Sequence, residues 1–254
     1  SRFNQSDAEV LRPKRTVIVS NGIPDPCPDF AHTLASVRRD RAVLLQRLYG
    51  ASLSTSGAHR AQRPAEIVRV LYLAHCTRDK GFFDAIEGVR LANAIMSEQK
   101  KPISFELTLV GAFLKEHEKA EFEALRSSIG AGSWLRYLGF MGEPEKWDAY
   151  RRADVFCFPT YFPFEAQPMN LIEALAFGLP IVTTRWRSIP EYFPADYAGL
   201  IEPRRPEQVA SAIIAVMTEN GAKFRQIFEN RFSLGCHLEN LAMAIKGSFQ
   251  AQPV

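Results

Sequence analysis

Residues 154–180 decide the fold, and they read Asp154-Val155-Phe156-Cys157-Phe158-Pro159-Thr160-Tyr161-Phe162-Pro163-Phe164-Glu165-Ala166-Gln167-Pro168-Met169-Asn170-Leu171-Ile172-Glu173-Ala174-Leu175-Ala176-Phe177-Gly178-Leu179-Pro180. The run from Asp154 to Pro159 is almost wholly apolar, which is typical of a strand buried on both faces of a parallel sheet. A helix then begins near Pro168, a residue suited to a first turn, and ends at Gly178. A buried strand followed by a buried helix predicts an α/β fold with a parallel sheet.

Two carboxylates flank the start of this helix. Glu165 lies in the loop before it, and Glu173 lies inside it among neighbours that are apolar almost all round. A buried carboxylate needs donors, because an ionised and unpaired one costs several kcal/mol or more. Ligand hydroxyls and neighbouring protein groups are both suitable donors for Glu173, and the sequence leaves both open.

Apolar runs and helical patterns alternate along most of the chain, which predicts a Rossmann-like, doubly wound parallel sheet with helices on both faces. The predicted strands are Thr16 to Ser20, Ile67 to Leu73, Glu106 to Val110, Trp134 to Leu138, Asp154 to Pro159, Ile181 to Thr184 and Gly199 to Glu202. The helices predicted between them include Phe82 to Ser97, Lys115 to Ile129 and Pro206 to Asn220.

The same alternation divides the chain. We predict an extension or linker at 1–15, one Rossmann-like domain at 16–220 and C-terminal helices at 221–254. An irregular insertion at 23–65 separates the first two predicted strands. It contains a helical pattern at Phe30 to Tyr49, followed by the small polar residues 51–59, which are expected to form a mobile surface loop.

Composition argues against several classes of function. There are 31 basic and 28 acidic side chains, and the basic ones are scattered apart from clusters at Arg12 to Arg15 and Arg38 to Arg41. Such short clusters are more typical of a solvated face than of a nucleic-acid footprint. The four cysteines and five histidines are dispersed, which predicts reduced thiols and no metal site. Neither an apolar leader nor an apolar span of membrane length occurs, and a cytoplasmic protein without a transmembrane segment is expected.

Candidate binding groups follow the predicted strands, where parallel sheets bind ligands. Lys80 and His75 could neutralise a diphosphate, and the amides of Gln167, Met169 and Asn170 would offer donors at a helix N-terminus. Taken alone, Lys80 is better explained as an exposed lysine at a helix-initiating turn, and His75 is a weak signal. Their shared location at the strand ends indicates a phosphate-bearing ligand more strongly than either residue does. Glycines occupy further strand ends, namely Gly22, Gly111 and Gly139.

These features resemble a known family. The pattern is similar to the C-terminal domain of the retaining glycosyltransferases of family 4, which have the GT-B fold. The resemblance covers roughly Val17 to Glu202. Its motifs are Val19-Ser20-Asn21-Gly22-Ile23, Leu73 to Gly81, Leu109-Val110-Gly111, Leu138-Gly139-Phe140, Glu165-x7-Glu173 with Ala174, Phe177-Gly178-Leu179-Pro180-Ile181-Val182, and Ile189-Pro190-Glu191.

The resemblance implies a role for each matching residue. The implied catalytic residues are Glu165, which faces the donor sugar, Lys80, which contacts the diphosphate, and His75, which stands where arginine is usual. Glu173 would hold the ribose hydroxyls. The remaining implied binding residues are Gly139, Phe140 and Met141 against the base, Gln167, Met169 and Asn170 at sugar hydroxyls or phosphate, and the strand-end glycines Gly22 and Gly111.

The resemblance also implies the reaction and the partners. The expected activity is transfer of a sugar, with retention, from a UDP- or GDP-linked donor to a saccharide or glycolipid, with no metal or other cofactor. The acceptor would bind an N-terminal domain that this chain lacks. Membrane-surface contact is expected only of the full-length protein. Ala166 and Pro168 replace two glycines of the family pattern, which predicts a differently shaped donor-sugar pocket.

Two alternatives compete with this interpretation. Glu165 and Glu173 could be the carboxylate pair of a glycosidase, although that leaves the phosphate-binding features unexplained. The chain could also be a degenerate module that binds a nucleotide, or only a protein, without catalysis. A nicotinamide dehydrogenase is disfavoured because no G-x-G-x-x-G motif follows a predicted strand.

Overall fold

The computed structural model of the chain describes residues 10, 12, 16–50, 65–130 and 134–247. Within these ranges six parallel strands form one sheet in the order β3-β2-β1-β4-β5-β6. This order is that of a doubly wound dinucleotide-binding sheet, so the predicted fold class is confirmed. The strands are β1 Glu66–Leu73, β2 Ile103–Val110, β3 Leu135–Tyr137, β4 Val155–Phe158, β5 Ile181–Thr184 and β6 Leu200–Ile201.

Helices cover both faces of the sheet. Tyr72 of β1 packs edge to face on Phe82, with ring centroids 5.5 Å apart, whereas the next residue back, Leu71, lines a groove beside a different helix. Successive strand residues point to opposite faces, so the helix Phe82–Glu98 and the helix Glu145–Arg152 lie on opposite sides of the sheet. The described helices are α1 Phe30–Thr33, α2 Ala35–Gly50, α3 Phe82–Glu98, α4 Glu116–Ile129, α5 Glu145–Arg152, α6 Met169–Ala176, α7 Pro206–Val216, α8 Gly221–Arg231 and α9 Leu234–Ile245.

The central strands β4 and β5 are fully buried, whereas one face of β2 is only half-buried. Every residue of β4 and β5 is buried, as the apolar run at 155–158 predicted. Strand β2 instead alternates, with buried residues facing α3 and half-buried ones such as Glu106 and Thr108 facing away. These polar residues line a groove of about 850 Å³ between α2, α5 and the sheet.

One predicted strand is wrong. Thr16 to Ser20 has the β-branched composition of a strand, but it lies outside the sheet. Both sides of β1 are occupied, by β2 and β4, so the segment cannot pair beside the strand that follows it. Among the described residues it does not pair with the edge strands β3 and β6 either. The segment instead runs beside α9, where the Ser20 carbonyl oxygen lies 2.7 Å from Nδ1 of His237. The sheet therefore begins at β1.

The remaining predicted elements differ in their bounds. The predicted helix at Phe30 to Tyr49 is divided at Leu34 into α1 and α2, and α5 was not predicted. The mobile loop predicted at 51–59 lies outside the described residues, as do most of 1–15 and everything after 247. Among the described helices, none combines the length and the apolar character needed to cross a bilayer.

Candidate functional site

The segments that follow β1 and β4 meet at the carboxyl edge of the sheet. The strand order reverses between these two strands, which is where open α/β sheets bind ligands. After β1 the chain makes a 3₁₀ turn, Arg78–Lys80, that ends at Gly81 with φ 75°. A Cβ on Gly81 would lie 2.2 Å from the carbonyl oxygen of Pro159, just after β4. Glycine is therefore needed for the two segments to approach this closely.

This close approach brings Lys80 and Glu165 together. Nζ of Lys80 donates to Oε2 of Glu165 at 2.8 Å, and the hydroxyl of the buried Thr160 donates to the same oxygen at 3.1 Å. The ammonium group also lies 4.1 Å from the centroid of the Phe162 ring. Both charged side chains are largely buried, with exposed fractions of 17% and 8%. An ammonium carries three donors, so the pairing leaves Lys80 with donors for an anion.

The carboxylate of Glu173 is hydrogen-bonded by two side chains of α5, a helix that was not predicted from the sequence. Its Oε1 accepts a hydrogen bond from Nζ of Lys146 at 2.9 Å, and its Oε2 accepts one from the hydroxyl of Tyr150 at 2.9 Å. Burial, and then the neighbouring carboxylate, raise the pKa of Tyr150 well above its usual value, so the phenol remains a donor. Protein groups, one of the two kinds of partner that the sequence left open, thus donate one hydrogen bond to each oxygen of Glu173.

The predicted helix-start residues are tied to neighbouring backbone. The side-chain amide of Gln167 bonds both the N–H and the carbonyl of Asn21, at 2.9 and 3.3 Å. The Asn170 amide donates to the Leu73 carbonyl at the end of β1, at 2.9 Å. Met169 is partly exposed. The side chain of Asn170 therefore fastens α6 to the end of β1, and that of Gln167 fastens the loop before α6 to the segment at Asn21.

The other predicted residues occupy the same edge. His75 is exposed directly after β1. The N–H of Gly111 donates to the Gly139 carbonyl at 2.9 Å, which joins the ends of β2 and β3. Phe140 exposes its ring to solvent, and Met141 packs partly against the core. Gly22 packs against α9, where a Cβ would lie 2.5 Å from Cβ of His237.

Three residues of this region were not predicted from the sequence. Lys146 and Tyr150 bond Glu173, and Arg38 bonds the carbonyls at the end of α5. Helix α5 is short and rich in charge, so its apolar periodicity rests on few residues, Trp147 and Tyr150 among them. That spacing of three was the available signal for the helix. Its pairing with Glu173 joins residues 27 positions apart and has no sequence signature.

Two observations bound what the site can hold. Lys80 and Glu165 do not line the 850 Å³ groove, which lies on the sheet face below α5. Among residues 16–50, 65–130 and 134–247, no group of three His, Cys, Asp or Glu side chains is placed to hold a metal ion.

The chain is similar to known proteins over most of its described length. Residues 60–232 match the family model described as Glycosyl transferases group 1. The amylovoran biosynthesis glycosyltransferase AmsK of Erwinia amylovora is 29% identical over 163 residues, which is 61% of this chain and 37% of that protein. The chain thus spans well under half the length of the curated relatives it matches.

Solved structures share the fold. A glycosyltransferase from Rickettsia africae ESF-5 superposes with a TM-score of 0.66 at 15% identity, covering 99% of this chain and 63% of that one. The Anabaena protein HepE, in complex with UDP-glucose, gives a TM-score of 0.62 at 18% identity, covering 95% of this chain and 61% of that one. The match over 60–232 covers more than half of the sequence, and the chain belongs to the family described as Glycosyl transferases group 1, with a GT-B type fold.

Proposed function

We propose that this chain is the donor-binding part of a glycosyltransferase that moves a sugar from a nucleoside diphosphate sugar to an acceptor with retention of anomeric configuration. Retention is proposed from the family resemblance of the Glu165 to Glu173 pattern. The observation that carries the proposal is the contact of Lys80 with Glu165, 2.8 Å apart, at the reversal of strand order.

The chemistry of transfer asks for these two charges. Breaking the bond to the anomeric carbon leaves positive character on the sugar and negative charge on the departing diphosphate, and both need stabilisation. Lys80 and the positive end of α6 would act on the diphosphate. Glu165 would orient the sugar and offset the positive charge on it. Glu173 would accept the ribose hydroxyls, and His75 would lie beside the phosphates.

Relatives support this choice of donor and reaction. HepE is described in complex with UDP-glucose, which favours a uridine diphosphate sugar. AmsK is named for amylovoran biosynthesis, which favours a saccharide or glycolipid acceptor. We propose that the acceptor binds a second domain of the whole protein, that transfer takes place in the cytoplasm, and that any membrane contact belongs to that domain.

The proposal is tested by calorimetric titration of the 254-residue chain with UDP, GDP and ADP. We expect UDP to bind. Lys80→Met should weaken UDP binding about tenfold or more, because hydrogen bonds to charged groups contribute about 1.5–3 kcal/mol. Binding of uridine, which has no phosphate, should change much less. Lys119→Met removes an exposed lysine from α4 and should leave UDP binding unchanged.

Two results would contradict the proposal. If the wild-type protein binds none of the three nucleotides, the donor site is not functional, and the module is one for protein interaction. If Lys80→Met binds UDP as tightly as the wild type, the contact of Lys80 with Glu165 is only structural. A thermal melt of Lys80→Met separates lost binding from lost folding.

A further inference from the structure

Helix α5 prepares Glu173 for one kind of ligand group. Each carboxylate oxygen has two lone pairs, and each accepts one hydrogen bond from this helix, Oε1 from Lys146 and Oε2 from Tyr150. One acceptor position on each oxygen is left. Two adjacent acceptors fixed side by side match a pair of neighbouring hydroxyl groups, which is the arrangement of a vicinal diol.

The two donors cannot easily move. The Tyr150 ring is fully buried and stacks on Phe177, with centroids 5.3 Å apart and planes within 7°. Nζ of Lys146 lies 4.0 Å from the centroid of Trp147, which itself stacks on Phe177 at 5.9 Å. Lys146 also lies 3.7 Å from Glu143, so its charge is shared between two acids. The two groups that donate to the Glu173 carboxylate are therefore packed against one layer of aromatic rings, formed by Trp147, Tyr150 and Phe177.

The helix itself is fixed from α2. Arg38 is buried and donates to the carbonyls of Tyr150 at 3.1 Å, Arg151 at 3.3 Å and Ala153. The carbonyls of Tyr150 and Arg151 lie in the last turn of α5 and that of Ala153 directly follows it, where carbonyls lack helical partners. Burial lowers the pKa of Arg38 to about 10, which still leaves a cation at the negative end of the helix. Arg38 thus anchors the C-terminal end of α5, the helix that carries Lys146 and Tyr150.

We propose that Lys146 and Tyr150 are positioning residues that orient the Glu173 carboxylate toward a vicinal diol, and that Lys146 thereby determines selectivity for ribonucleotides over deoxyribonucleotides at this site. The inference rests on the proposed function, which places the ribose at Glu173. It adds two residues from a helix outside the acidic motif. A carboxylate fixed before binding loses less freedom when the ligand arrives.

The test compares UDP with 2′,3′-dideoxy-UDP by calorimetry on the full chain. The wild type should bind UDP about tenfold or more tightly than the dideoxy analogue, because two hydrogen bonds to a charged acceptor are lost. Lys146→Met and Tyr150→Phe should each lower that ratio several-fold. Lys146→Arg keeps a cation beside Glu173 and should restore most of it. Tyr197→Phe removes a buried hydroxyl bonded to the backbone of Ile181, away from the site, and serves as the matched control.

The ratio separates positioning from general loosening. A variant that only loosens the fold weakens both ligands alike and leaves the ratio unchanged, and that result overturns the inference. A wild-type protein that binds UDP and the dideoxy analogue equally also overturns it while leaving the proposed function standing. A wild-type protein that binds none of UDP, GDP and ADP overturns the proposed function and this inference together.

Discussion

At the scale of single residues, the carboxyl edge depends on backbone approaches that only glycine permits. Gly111 has φ 152°, and a Cβ there would lie 1.8 Å from the carbonyl oxygen of Ala74. That contact is with backbone, so no side chain can turn aside to relieve it. Gly111 therefore fixes the distance between the ends of β1 and β2.

Replacing Gly111 by alanine is expected to cost about 3 kcal/mol or more in the free energy of unfolding, since backbone strain and a steric clash act together. Urea denaturation followed by circular dichroism measures this loss. Gly142→Ala is the control, because nothing lies within 4 Å of a Cβ added there, and we expect it to change stability little. Equal stability of the two variants would show that the edge relaxes readily.

At the scale of elements, Arg38 of α2 ties that helix to the ends of α5 and α6, which lie far along the chain. It satisfies carbonyls at the end of α5 and also donates to the Phe177 carbonyl at 3.4 Å. Arg38→Met should lower the free energy of unfolding by about 3 kcal/mol or more, because several buried acceptors lose their donor at once. Urea denaturation tests this, with Arg39→Met as control. Arg39 is exposed, and an effect there as large as at Arg38 would contradict the account.

The elements that sequence could predict are those set by local pattern. Strand β4 and helix α6 followed from an unbroken apolar run and from punctuation by proline and glycine. The strand predicted at Thr16 to Ser20 failed because its place beside β1 is taken by β2 and β4, which is a property of the sheet and not of the segment. Helix α5 was missed because tertiary bonds from Arg38 support it where its own periodicity is weak.

At the scale of the whole molecule, the topology of the sheet explains which site residues could be predicted from the sequence. Lys80, Glu165 and Glu173 follow strands or begin helices of a doubly wound sheet, so the topology alone gathers them at one edge. Their partners Lys146 and Thr160 depend on side-chain geometry. Such pairings are fixed by packing across the sheet, which a single sequence does not encode locally.

Burial of thiols makes stability fall at alkaline pH. Desolvation raises the pKa of Cys27 to about 11 and that of Cys76 to about 12, above the ordinary thiol value of 9.0. The unfolded chain then loses these protons first, so the stability they contribute is complete below about pH 9 and is lost as the pH rises through about 11 to 12.

We expect the free energy of unfolding to drop by about 2 kcal/mol or more between about pH 8 and about pH 10. Urea denaturation at both values measures the drop. Cys76→Ala should reduce it by about 1 kcal/mol. An unchanged drop in Cys76→Ala would show that other groups, such as the buried tyrosines, account for it.

Two of the chain's three tryptophans stand beside the charged groups of the site. The Trp147 indole carries the Lys146 ammonium on its face, and Nε1 of Trp186 donates to the Phe162 carbonyl at 2.8 Å, in the residue that underlies Lys80. Indole emission responds to nearby charge. We therefore expect tryptophan emission of the unlabelled chain to change when a charged ligand binds beside Lys80 or Lys146.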